Sequence, residues 1–452
     1  MDKQEKSKFR SAPQWAYQPY QPADKTVAFP FITLMSPSER SITIEWLDDR
    51  VCDYEVVVRP AEGEDGEEVR SFTSTRRITV NGLSCDKAYT VSVYGDGRVG
   101  EAAPFRTGDY KGTVVNYLHP DDTKYEFSGR FLCSPSVVRH NGDIYVSMDV
   151  YKAGAPQNLS LLFRSRDDGK TFSYVTDLFP CFWGTLFSHG GCLYMIGTST
   201  EYGDLLIGRS CDGGVSWEGP SVLYRGAGNV NFCGIHKAPV PVLEHDGRIW
   251  IAVEWGTWNK KCFMAGAFSA PANGDLLNVD EWTCTGFVRH DMQWQGAKSV
   301  FGGLEGNLVA QGDYIYNVLR YVTGLALILR IDPKNPGCPP QFVRVADFPS
   351  AHAKFEIRQY GESYYMVGNR LPLRNILSLY KSDDLLSWRL LTDVVDCGEM
   401  PEQEVGFQYP AFFMEGNTFY IVSRTAINGA ANFHDTNCIT FHKITVDTES
   451  EE

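Results

Sequence analysis

The sequence contains no run of 18 apolar residues, so no segment reads as a membrane-spanning helix. Its 12 cysteines include no CxxC pair, which excludes the common zinc frameworks and gives no reason to expect a disulfide scaffold. There is no basic stripe, and a formal net charge of −14 opposes the approach of phosphates, so nucleic acid is excluded as an expected partner. The opening residues Met1-Asp-Lys-Gln-Glu-Lys6 lack the apolar stretch and small-residue cleavage site of a signal peptide. Together these absences read as a soluble chain with reduced thiols in the cytoplasm, although an exported chain that had lost its leader would read the same way. No cofactor or metal motif is present, and nothing favours one oligomeric state over another.

What is present is glycine (42 residues) and aromatic side chains (13%), a composition that suits many short strands joined by tight turns. Residues 31–108 alternate apolar and polar positions in short runs such as Ser41-Ile-Thr-Ile-Glu-Trp46, Tyr54-Glu-Val-Val-Val58 and Thr90-Val-Ser-Val-Tyr94, the pattern of half-buried antiparallel strands. Trp46 is the expected filler between two sheets. Val80-Asn81-Gly82-Leu83 followed by Tyr89 suggests a tyrosine corner, in which a phenol ties the chain at a sandwich edge. These landmarks resemble a fibronectin type III module, which implies a spacer or packing partner. Residues 1–30 form a polar tail, and residues 447–452 an acidic one.

Six later segments share one design: an apolar strand, a turn carrying glycine, and a second strand that opens on an aromatic residue. The turn glycines are Gly142, Gly191, Gly247, Gly312, Gly361 and Gly416, at intervals of 49, 56, 65, 49 and 55 residues. A period of this size with hairpin chemistry at one phase marks the blades of a β-propeller. A third strand ends 19–23 residues after each of the first five glycines, at Ser165, Ser210, Ser269, Ile331 and Ser382. In two blades the turn that follows reads Ser165-Arg-Asp167-Asp-Gly169-Lys-Thr-Phe172 and Ser210-Cys-Asp212-Gly-Gly214-Val-Ser-Trp217. Ser382-Asp-Asp384…Trp388 is a looser third copy. The carboxylate can bond turn amides, the glycine admits a positive φ, and the aromatic plugs the neighbouring sheet.

On these motifs, over about 330 residues, the chain resembles the sialidase (neuraminidase) superfamily, whose six-bladed propellers carry Asp-boxes, also called BNR repeats. The expected fold is all-β: a six-bladed β-propeller over residues 109–446, preceded by a small Ig/fibronectin III-like β-sandwich. Little chain follows the sixth blade, so Thr113-Val-Val-Asn-Tyr117 is expected to supply its missing strand and close the ring.

Phase alone nominates the residues at the ligand-binding face, which the ends of second strands and the starts of first strands reach. The second strands end at Asp149, Glu201, Glu254-Trp255, Arg320-Tyr321, Asn369-Arg370 and Ser423-Arg424. The first strands start at Arg130, Trp183, His236-Lys237, Glu305, Lys354-Glu356 and Gln408-Tyr409. Arg320, Arg370 and Arg424 recur at equivalent positions, and a guanidinium grips a carboxylate through two hydrogen bonds, so the trio points to an anionic substrate. With Lys237, Trp183, Trp255 and Gln408 they form the expected substrate-binding set, and Trp258 and Trp294 are further aromatic candidates for the pocket.

Asp149, Glu254 and Glu356 are the candidate carboxylates for glycoside hydrolysis. The resemblance implies a tyrosine nucleophile served by a glutamate, for which Tyr409 and Glu254 are the matching pair. His434 and Asp435, in a long Gly/Ala/Asn-rich loop, are candidates for proton transfer. The family's Arg-Ile-Pro near the start of blade one is altered here: aligning its proline with Pro135 puts Cys133 at the arginine position, with Arg130 three residues earlier. The reading is thus a sialidase-like glycoside hydrolase, exo-acting on a carbohydrate substrate with a sialic- or uronic-acid carboxylate. The alternatives are a polysaccharide lyase using Tyr409 or His434 as base, and a non-catalytic glycan- or protein-binding propeller.

Overall fold

The computed structural model describes Trp15 and residues 29–350 and 352–448, and the described chain is all-β apart from two single-turn 3₁₀ segments. The N-terminal part pairs into two sheets. One holds Phe31–Pro37, Ser41–Leu47 and Arg77–Asn81. The other centres on Tyr54–Pro60 and Ala88–Gly95. Strict alternation in Ser41–Leu47 turns Ile42, Ile44 and Trp46 inward, where Trp46 meets Tyr54 edge-on at 5.1 Å. The Tyr89 hydroxyl accepts a hydrogen bond from the Ser84 amide (2.9 Å), closing the corner that the sequence suggested.

Six antiparallel sheets follow in chain order. Sheet one comprises Phe131–His140, Asp143–Tyr151, Ser160–Ser165 and Ser173–Leu178. Sheet two comprises Phe182–His189, Cys192–Thr198, Leu205–Ser210 and Glu218–Tyr224. Sheet three is built on Arg248–Thr257 and Cys262–Pro271, with the short Gly234–His236 and Leu243–His245 taking the place of one first strand. Sheet four begins at Leu304–Gln311, sheet five at Glu356–Tyr360 and sheet six at Gly406–Glu415. Thr113–Tyr117 pairs with Cys438–Thr445 as the outer strand of sheet six, so the start of this region is stitched to its end. The first strand of sheet one packs against the first strands of both sheet two and sheet six, which closes the series into a ring.

Each first hairpin turns where the sequence places it. All six turn glycines have positive φ, and at Asn141-Gly142 both residues do (50° and 89°), as a two-residue hairpin of this hand requires. The Ser-x-Asp turns close on themselves. Asp167 accepts from the Thr171 amide (2.9 Å) and hydroxyl (2.6 Å), and Asp212 accepts from the Ser216 amide (2.9 Å). The Ser165 and Ser210 hydroxyls accept from Gly169 and Gly214 (2.8 Å each). Trp217 and Phe172 are buried beneath these turns.

Side-chain hydrogen bonds bind the N-terminal sheets to the ring. Glu45 accepts from Arg77 (2.5 Å) and from the Tyr174 amide (2.8 Å), and Asn116 on the closing strand accepts from the Met35 amide (3.0 Å). Trp15 is buried against Trp217, where a Cβ on Gly208 would lie 2.3 Å from its ring. Most of residues 1–30 and the tail from 449 onward lie outside the described residues. One expectation is corrected: Cys192 and Cys211 form a disulfide. The two cysteines are 19 residues apart in sequence, but the pairing of Leu193 with Ser210 brings them side by side at the end of sheet two.

Candidate active site

Four first strands carry the same irregularity. Their ladders slip between Cys133 and Ser136, Phe182 and Thr185, Leu304 and Asn307, and Gln408 and Ala411. At each slip a side-chain-bearing residue adopts a left-handed backbone: Ser134 (φ 50°), Trp183 (52°), Glu305 (58°) and Tyr409 (51°). Such a conformation costs about 1–3 kcal/mol per residue and persists where the surroundings over-determine it. A bulge re-aims one side chain out of its sheet's alternation, and all four of these residues line one cavity of about 250 Å³. The following residue is Pro135, Gly184, Gly306 or Pro410. At Gly306 a Cβ would stand 2.1 Å from Asn317 Oδ1, so the tight approach itself demands glycine. This recurring x-Pro/x-Gly step near the start of the first strand is the signal in the sequence that marks the cavity wall.

Three guanidinium groups gather around Tyr409. Arg320 donates to Glu305 Oε2 (2.8 Å) and to the Tyr409 hydroxyl (3.1 Å). Arg424 Cζ lies 5.3 Å from the ring centres of both Tyr409 and Tyr151. The third is Arg374, 6.0 Å from the Tyr409 ring and held by Gln408 Oε1 (2.7 Å). Burial opposes the charge on Arg320, but Glu305 and Tyr409 outweigh it and hold the group protonated. Arg374 is shifted down by burial and by its like-charged neighbours Arg320 and Arg424. Among the described residues three cations face two lining carboxylates, Glu201 and Glu305, so the cavity favours an anion.

Arg370 is a correction to the expected trio. It pairs with Asp393 (2.9 Å) outside the cavity, with its side chain 39% exposed. Alternation along Ser363–Asn369 puts Asn369 inward, and its amide group binds the Arg374 and Phe407 carbonyls. The loop so held brings Arg374 over the cavity instead.

The nominated carboxylates also sit elsewhere. Glu356 is buried between Lys354 (3.1 Å), Arg358 (2.9 Å) and the Phe412 amide (3.1 Å), a brace between sheets five and six. Asp149 accepts from Ser160 and from the Trp183 amide (2.7 Å), and burial pushes its carboxyl up to about 7. Glu254 lies behind the wall, bonded to His236 Nδ1 (2.9 Å) and the Gly306 amide (3.1 Å), so His236 faces the cavity rather than Glu254. Lys237 is fully buried on Thr185 Oγ1 (2.6 Å), and burial pulls its ammonium down to about 7. Gln408 serves the site by holding Arg374. Phase nominated these side chains for the cavity, but Asp149, Glu254, Glu356 and Lys237 do not line it.

Trp183 and Trp258 line the cavity, whereas Trp255 packs outward on Tyr224 and Phe287, and Trp294 stacks on Phe342. His434 lines it and bonds Asp435 (2.9 Å), while its carbonyl receives Arg424. The bond to Asp435 favours the charged ring, but burial and the nearby arginines shift His434 down.

No protein-family model and no curated protein sequence matches the chain. Among solved structures, a mutant α-L-arabinofuranosidase of Fusarium graminearum in complex with an iminosugar inhibitor aligns at TM-score 0.50 and 10% identity, covering 74% of this chain and 98% of that one. An α-L-arabinanase of Penicillium chrysogenum with arabinobiose (TM-score 0.48, 13% identity, 74% and 97% covered) and Trypanosoma rangeli sialidase with the inhibitor DANA (0.49, 11%, 74% and 59%) also align. The likeness to the arabinofuranosidase is one of fold, a β-propeller.

Proposed function

We propose that the chain is a glycoside hydrolase on a six-bladed propeller spanning residues 109–446, exo-acting on a sugar that carries a carboxylate. The observation that carries this reading is the convergence of Arg320, Arg374 and Arg424 on the strained Tyr409. Arginine forks match a carboxylate in shape and charge. Burial pushes the Cys133 thiol up to about 12 against the pull of Arg424, which lines the same cavity, and this supports a guanidinium from sheet six serving in place of the arginine that the sialidase pattern aligns with Cys133.

In this reading the arginines hold the sugar carboxylate and Tyr409 Oη attacks the anomeric carbon. Arg320, already donating to that oxygen, orients it for the attack. Glu305, on the same guanidinium, receives the phenol proton. Water then releases the sugar from the tyrosine, with net retention of configuration. Residues 31–108 act as a fibronectin III-like spacer. The Cys192–Cys211 bond favours an oxidising compartment over the cytoplasm.

The test is release of free sugar from 4-nitrophenyl α-glycosides of N-acetylneuraminic and glucuronic acids. Retained free sugar supports the reading. A product with a new carbon–carbon double bond would assign a lyase, and no turnover with tight binding a lectin-like propeller.

A further inference from the structure

Hydrolysis through Tyr409 needs an acid to protonate the departing oxygen, and none of Asp149, Glu254 and Glu356, the carboxylates nominated for catalysis, lines the cavity. The cavity offers two carboxylates in contrasting surroundings. Glu305 is ion-paired with Arg320. Glu201 has no Lys or Arg partner among the described residues, and its Oε2 accepts the neutral amide of Gln157 (3.0 Å). Both members of that contact are set by left-handed backbone, at Gln157 (φ 51°) and at Tyr202 (58°), the residue after Glu201.

We infer that Glu201 is the general acid–base of the reaction, positioned by Gln157. The inference rests on the hydrolase reading above. Glu201 enters from sheet two, Glu305 from sheet four and Tyr409 from sheet six, alternate positions around the ring, so acid and nucleophile reach a bound sugar from different sides. Two carboxylates whose environments differ in this way divide the roles of proton donor and anion. Burial raises the Glu201 carboxyl above its ordinary value, against the opposing pull of His236, Gln157 and Tyr202. The other ionisable groups that face it are Tyr151 and Cys133, both of which it pushes up.

The proton balance closes. As Tyr409 Oη bonds to the anomeric carbon and gives its proton to Glu305, the glycosidic bond breaks and its oxygen takes the Glu201 proton. In the second half Glu201, now a carboxylate, takes a proton from water as that oxygen attacks the anomeric carbon. The tyrosyl bond breaks, and the phenolate recovers its proton from Glu305. Both carboxyls end as they began.

Glu201→Gln keeps the acceptor for Gln157 and removes the proton, so folding, checked by Tm, should be unchanged. The readout is kcat/KM, which stops at the first irreversible step, on methyl and 4-nitrophenyl glycosides of the same acid sugar. The variant should lose about 10²–10⁴-fold on the methyl glycoside, whose leaving group needs a proton, and less than about 10-fold on the nitrophenyl glycoside. It should also lose the alkaline limb of the pH profile. An equal loss on both substrates, or none on the methyl glycoside, overturns the assignment while leaving the hydrolase reading intact. A wild-type protein that cleaves neither glycoside overturns that reading and this inference with it.

Discussion

Two sets of strained turns repeat around this ring, and they differ in what offsets the strain. In the Ser-x-Asp turns, Asp168 (φ 62°) and Gly169 (87°) are left-handed, and the Ser165 hydroxyl and Asp167 carboxylate answer the turn amides within a few residues. The surroundings are local and self-sufficient. At the four cavity bulges, Trp183, Glu305 and Tyr409 are large side chains in the same backbone region, and at Trp183 and Tyr409 the compensating bond comes from another sheet. Arg320 of sheet four bonds Tyr409 of sheet six, and the Trp183 amide is held by Asp149 of sheet one. Strain that is repaired locally holds a fold together. Strain that only a distant strand can repair is spent on aiming side chains at a ligand.

Substitutions can break or sharpen that contrast. The largest effect is expected at Tyr409→Phe, which keeps the ring and the bulge but removes the attacking oxygen. Turnover should fall by at least about 10³-fold with little change in Tm. A variant that kept its turnover would reduce the Tyr409 bulge to a packing device. Next comes Arg374→Lys, which preserves charge but loses the planar fork. Substrate binding should weaken by about 1.5–3 kcal/mol, read as KM or by calorimetry, whereas Arg370→Lys should change neither. Equal effects at both positions would mean that the cavity does not select among the arginines. The smallest effect on activity is expected at Asp212→Ala, which removes the acceptor for the Val215 and Ser216 amides. Stability should drop by about 1–3 kcal/mol in denaturant titration, with kcat untouched. A loss of kcat without loss of stability would place that turn at the site.

The legible parts share one property: they depend on residues close in sequence. Asn141-Gly142 must turn in the left-handed region wherever it lies, and Ile42, Ile44 and Trp46 must share a face in any strand. Arg370 shows where counting fails. A one-residue error of phase exchanges the two faces of a strand, so Asn369 took the inward place and a loop residue, Arg374, took the cavity. Glu254 shows a second failure, for it was expected in the cavity but stands behind His236. The Cys192–Cys211 pair shows a third, because no spacing rule reveals two cysteines flanking a strand pair.

By itself, the sequence determined the all-β class, the phase of the hairpins and the self-bonded Ser-x-Asp turns, since each follows from periodicity or from contacts within a few residues, and it determined the return of Thr113–Tyr117 by elimination, because too little chain follows the sixth repeat to complete its sheet. Only the tertiary structure decided which side chains meet. Arg320, Arg374, Arg424, Glu201, Glu305 and Tyr409 come from four sheets, and their encounter depends on bulges whose strain is balanced across the ring. Local propensity carries no record of a partner 50 to 100 residues away. For that reason the cavity became readable only once the sheets were packed.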